Sequence, residues 1–182
     1  LKKRGQLMNK NYFFPIVIFF FFSFLGCYLF SLSGEVYLTP GFKASQFKYL
    51  AVLNLDPQIK FAEYVEAELI RKGYAVKEEA LFRQMLKKEG ITKEESLSLE
   101  ELAKIGRILN IQGIVFCRVL DFSRFRDFYR LQIKMVSTEN GNTIWVAQGS
   151  MEGKRGEKPG DILKQIVASA LKDLPEIPAP KP

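Results

Sequence analysis

The sequence predicts an α+β domain in which helices pack on a single mixed sheet, with a signal segment and a tether ahead of it. Three features lead there. The runs FKYLAVLNL (47–55) and IQGIVFCRVL (111–120) are apolar with almost no alternation, which suits strands covered on both faces. Other segments repeat apolar residues at spacings of three and four, as helices with one buried stripe do. A strict two-residue alternation at 128–136 then meets Asn140-Gly141, the pattern of a hairpin whose sheet has one wet face.

The first strand stops at Asp56-Pro57, because proline cannot donate to a ladder. Phe61, Val65 and Leu69 then line one side of a helix that ends at Gly73. YAVKEEA (74–80) reads as a second strand, and LFRQMLKK (81–88) as a short helix closed by Gly90. Ser98-Leu99-Glu100-Glu101 is a capping box: the serine oxygen and the glutamate three residues on satisfy amides that the first helical turn leaves orphaned. That helix turns Leu102, Ile105 and Leu109 inward. After the strand at 111–120 comes the bend SRFRD (123–127). Beyond it Tyr129, Leu131, Ile133 and Met135 share one strand face and Arg130, Gln132 and Lys134 the other. TIWVAQGSM (143–151) returns beside them. A last helix, 160–174, presents Ile162, Ile166, Val167 and Leu171 to the core. The order β, α, β, α, α, β, β, β, α makes one sheet, mixed or antiparallel in its later half.

The ends of the chain have other uses. Lys2, Lys3, Arg4 and Lys10 precede an apolar block, 13–25, with no acid before it. This is the charge pattern of a secretory leader, and the block is shorter than the roughly 20 residues a spanning helix needs. If Met8 is the start, residues 8–27 form a compact signal. Phe24-Leu25-Gly26-Cys27 resembles the lipobox of bacterial lipoproteins, with phenylalanine where that motif usually carries leucine. The resemblance implies cleavage between Gly26 and Cys27 and a covalent lipid on Cys27. The alternative is an uncleaved anchor, since Tyr28, Leu29, Phe30 and Leu32 prolong the apolar run. The expected organisation is a signal at 1–26, an acylated N-terminus and tether at 27–46, a domain at 47–174 and a proline-rich tail at 175–182.

Of the whole chain's 27 Lys and Arg against 20 Asp and Glu, the four basic residues of the leader supply more than half the net charge of +7. The basic balance therefore gives little support to a nucleic-acid partner. The chain contains no histidine, which removes the commonest general base and metal ligand. Cys117 has no histidine to activate it. The acid pairs Glu78-Glu79 and Glu94-Glu95 lie among lysines, where neighbouring side chains point apart and read as solvated charge. No glycine-rich phosphate loop is present: Gly156 and Gly160 only flank a lysine-rich turn.

Several segments together resemble bacterial lipoproteins related to the curli-secretion channel protein (CsgG-like) and to LpoB, the activator of a penicillin-binding protein. They are AVLNLD (51–56), the G-Y-x-V element at 73–76, LAKIGRILNIQGIVFCRV (102–119), STENGNTIWVAQGS (137–150) and the closing amphipathic helix. The resemblance implies a non-catalytic module of the cell envelope, held at the outer membrane by its lipid. Tyr28 after the cysteine lacks the inner-membrane retention aspartate. Its partner would be an envelope protein: a cell-wall synthase, or a secretion or flagellar assembly. No cofactor is implied beyond the lipid on Cys27. A homo-oligomeric ring or pore is the alternative, although the connection at 120–128 is too short for an added barrel hairpin of strands about 9 to 11 residues long. The candidate partner surface is DFSRFRDFYR (121–130), where Phe122, Phe125 and Phe128 alternate with Arg124, Arg126 and Arg130. Aromatic and arginine side chains are the types enriched at protein interfaces, and the competing reading turns the rings inward. The loop GKRGEKPG (153–160), with Lys154, Arg155 and Lys158, is read as a soluble turn, with contact to anionic lipid or peptidoglycan as its alternative.

Overall fold

The computed structural model describes residues 32–178 apart from Pro57, Thr92, Lys93, Glu95, Arg124, Arg126 and Arg155. The leader, Gly26 and Cys27 therefore lie outside the described residues. The strands are β1 (Ser33–Leu38), β2 (Tyr49–Asn54), β3 (Ala75–Lys77), β4 (Gly113–Ser123), β5 (Phe128–Ser137) and β6 (Thr143–Glu152). The helices are α1 (Ala62–Arg71), α2 (Glu79–Lys88), α3 (Leu99–Leu109) and α4 (Pro159–Ala170).

The six strands form one sheet in the order β1-β6-β5-β4-β2-β3. β2 runs parallel to both β3 and β4, whereas β4, β5, β6 and β1 are successively antiparallel. The α+β class, the mixed sheet and the packed helices are those the sequence predicts.

Helices lie on both faces. Leu50 and Val52 of β2 face a large core shared with α1 and α4, while Ala51 and Leu53 face a smaller one under α2 and α3. Wholly buried side chains on both sides explain the unbroken apolar run, each leucine contributing about 1.5–3 kcal/mol by leaving water. The α3 capping box is present as read: the Glu101 amide donates to Ser98 Oγ at 3.2 Å and the Ser98 amide to the Glu101 carboxylate at 2.7 Å. Gly73 and Gly90 close their helices with φ of 88° and 71°.

Two expectations change. The tether does not run free to residue 46, because SGEVYL at 33–38 is the edge strand β1, paired with β6 from Ser33↔Ser150 to Leu38↔Trp145. Val36 packs on the main core, and a side chain at Gly34 would meet the backbone of Ser169 at 2.4 Å, so α4 sits directly on this strand. The tail is held at its start. The Tyr74 hydroxyl donates to the Pro175 carbonyl at 2.8 Å and the Ile177 amide to the Lys72 carbonyl at 2.8 Å. Burial in this contact pushes the Tyr74 hydroxyl pKa up to about 12. Lys72 is itself buried, and its ammonium donates to the carbonyls of Lys172 (3.0 Å) and Leu174 (2.9 Å), capping the turn that follows α4.

Candidate interaction site

The main core covers one face of the sheet from β1 to β2, but α2 and α3 cover the other face only over β2, the start of β4 and the adjoining end of β5. The remainder of that second face is open. Strand register defines its rows: Ser33, Ser150, Arg130 and Asp121 in one, Glu35, Gln148, Gln132 and Arg118 in the next, and Tyr37, Val146, Lys134 and Phe116 in the third. The first two rows hold only hydrogen-bonding and charged side chains. Ser33 and Ser150 join their hydroxyls at 2.9 Å across the β1–β6 pair. The Tyr37 hydroxyl donates to the Glu35 carboxylate, and that bond holds the phenol pKa above its ordinary value.

A bulge places the end of this surface. Between Val119 and Asp121 the β4–β5 register shifts by one residue, so Leu120 is left over and exposed. Past the bulge Phe122 turns into the main core, its ring 4.9 Å from that of Tyr129. Phe128 is half-buried, and Arg130 stands exposed on the open face. Phe125 at the tip is wholly exposed, at 102 % of its reference area. The six aromatic and arginine residues singled out in sequence thus divide: one ring is inward, one is intermediate, one is in solvent with Arg130 beside the open rows, and Arg124 and Arg126 lie outside the described residues. The tip closes through Asp127 at φ 48°, a left-handed geometry that aspartate tolerates, and the Asp127 carbonyl accepts from the Gly153 amide at 3.0 Å.

Sequence reasoning missed Arg118 and the β1 and β6 contributions, Glu35, Tyr37, Gln148 and Ser150. The alternation in TIWVAQGSM shows that Gln148 and Ser150 share a face, but reading 28–46 as tether hid the strand that extends it.

Of the acids read as solvated charge, Glu79 and Glu94 instead serve the structure. Arg83 binds Glu79 at 2.8 Å, Glu94 at 2.5 Å and the Asn54 carbonyl at 2.5 Å, tying α2 and the following loop to the end of β2. Glu95 lies outside the described residues. The Cys117 thiol is fully buried, and burial raises its pKa well above the usual thiol value, which keeps it protonated. Among the described residues no group of three or more His, Cys, Asp and Glu is placed to hold a metal ion.

Fold and site define a class: a small α+β domain that buries one sheet face and leaves half of the other for contact. No protein-family model and no curated protein matches the chain by sequence. Among solved structures it is similar to the PelC dodecamer from Paraburkholderia phytofirmans, with a TM-score of 0.57 at 12% identity, covering 81% of this chain and 100% of that one. It is similar also to lipoprotein GNA1162 from Neisseria meningitidis, with a TM-score of 0.53 at 17% identity over 70% and 96% of the two chains. The LpoB C-terminal domain from Salmonella enterica overlaps with a TM-score of 0.44 at 14% identity, over 58% and 83%. The likeness to the curli-secretion channel protein rests on the sequence segments alone.

Proposed function

We propose that the chain is a lipoprotein of the bacterial envelope, anchored through a lipid on Cys27, that acts as a non-catalytic binding or assembly module for an envelope protein. The observation that carries this reading is the uncovered sheet face, two rows of polar side chains four strands wide. Such a face offers hydrogen bonds and paired charge to a partner without reactive chemistry. The leader with its Leu-Gly-Cys sequence supports anchoring, as does a fold shared with a Neisseria lipoprotein. Retention at the outer membrane with the domain in the periplasm, and a partner in cell-wall synthesis, secretion or flagellar assembly, follow from the sequence resemblance.

Intact-mass analysis of the protein from its host tests the anchor: a chain beginning at Cys27 and carrying acyl mass supports it, and an unmodified chain beginning at Met8 defeats it. A photocrosslinking side chain at Gln132 tests the face. One envelope protein captured there, and lost on Arg130→Glu, supports the reading; capture that Arg130→Glu leaves unchanged refutes it.

A second reading, a ring of identical subunits, is favoured by the PelC dodecamer, all of whose chain this fold spans. Sizing the detergent-extracted protein separates the two, because a ring of many copies cannot elute near 20.9 kDa.

A further inference from the structure

The register of the sheet decides which loops share an end of the domain. Ser33, where β1 begins, is level with Ser150, Arg130 and Asp121, and β6 ends at Glu152 opposite Phe128. The start of β1, the Phe125 tip and the loop after β6 therefore meet at one end. That loop exposes Lys154 and Lys158, and the bond from the Gly153 amide to the Asp127 carbonyl fastens it to the tip. The β5–β6 turn at Asn140-Gly141 and the start of β2 lie at the opposite end.

Distances along the chain then constrain where a membrane can be. β4 continues from Cys117, the last residue level with β2, to Ser123, so the hairpin projects roughly 20 Å past the parallel half of the sheet. Phe125 stands roughly 10 Å beyond Ser33 along the strand axis. Cys27 precedes Ser33 by six residues, a reach of at most about 20 Å. On the anchoring reading, a lipid on Cys27 is therefore within about 20 Å of Ser33 along the chain.

We propose that this end of the domain rests on an anionic lipid surface, with Phe125 entering the interfacial layer and Arg130, Lys154 and Lys158 at headgroup level. The inference rests on the anchoring reading above and adds an orientation to it. A wholly exposed aromatic ring fits the boundary between headgroups and acyl chains, and cations at the same end match phosphate headgroups. Three further arginines, Arg124, Arg126 and Arg155, belong to the same segments in sequence. Among the acids at this end, Glu157 accepts from the Lys154 amide (2.9 Å) and Gln165 (2.7 Å), while Asp121, level with Arg130 in the ladder, and Glu152 are exposed. So placed, the domain stands on its hairpin and turns its open sheet face sideways, toward a partner.

The test uses the full chain with Phe125→Trp, reconstituted into vesicles of phosphatidylethanolamine and phosphatidylglycerol or of phosphatidylcholine alone. The natural Trp145 is buried and gives a constant background. Brominated acyl chains are expected to quench the added indole in the anionic vesicles and to leave the parent chain unaffected, while aqueous acrylamide loses access. Lys154→Gln with Lys158→Gln is expected to lower the inserted fraction about fivefold or more per lysine, in anionic vesicles only. Flotation with the vesicles reads anchoring separately. A chain that floats while its reporter stays open to acrylamide overturns the orientation and leaves the anchor standing; a chain that does not float overturns both. Shielding of the reporter only after addition of an envelope protein extract assigns the tip to a protein and likewise overturns the proposal.

Discussion

Replacing Lys72 by methionine keeps the length of a buried side chain and removes its charge and donors. The lysine is 3 % exposed, and its ammonium holds the carbonyls of Lys172 and Leu174 at 3.0 and 2.9 Å, with the Glu176 carboxylate at 3.9 Å. A hydrogen bond to a charged group contributes about 1.5–3 kcal/mol, and two are lost together with their grip on the tail. Methionine avoids the desolvation that the ammonium suffers, which offsets part of the loss. The expected net cost is about 2–4 kcal/mol, or roughly 10 °C in Tm for a domain of this size. Urea melting followed by the fluorescence of Trp145 measures it, and hydrogen exchange at the Ile177 amide, which donates to the Lys72 carbonyl, reports whether the tail stays docked. A variant within about 0.5 kcal/mol of the parent, with Ile177 still protected, would show that the buried cation is not what closes the domain.

Gly73→Ala is expected to cost more than the about 1 kcal/mol typical of a left-handed glycine, because φ is 88° and the new Cβ would stand 2.8 Å from the Ile177 carbonyl oxygen; the same melts check it. Ser98→Ala is expected to lose about 1 kcal/mol of cap. The bond from the Ser98 amide, then that from its hydroxyl, holds the Glu101 carboxyl below its ordinary 4.5, so this support is present above that value and fades as pH falls through the lower folded pKa. The gap between parent and Ser98→Ala should therefore narrow in acid by the share of the hydroxyl–carboxylate bond, and a constant gap in melts across pH would count against that bond. Cys117 is expected to resist iodoacetamide while folded and to react once urea unfolds the chain, since burial keeps the thiol protonated; mass spectrometry decides it.

Elements specified by local chemistry were legible in the sequence. β2 and β4 show as unbroken apolar runs because both faces are covered, and α3 shows through its capping box because every partner lies within one turn. β1 was not legible. Its inward residues are only Gly34 and Val36, and its hydrogen-bonding partner lies 117 residues away. Lys72 escaped because a lysine in a charged stretch reads as solvated, and only the folding back of residues 172–177 buries it. For the bend, the sequence supplied three rings and no means to sort them. One surplus residue in β4, Leu120, sets which ring turns inward, and that register depends on the pairing with β5.

The β1–β6 pairing also has a temporal side. Ribosomes make the chain from its N-terminus, so the residues of β1 exist long before those of β6, and their ladder cannot close until nearly the whole domain has been synthesised. Such distant closure is slow, and until it happens the nascent polypeptide carries an unsatisfied edge open to stray pairing. A transcript truncated within β6 would leave that edge bare permanently, a hazard for quality control that truncation within the final proline-rich residues does not create.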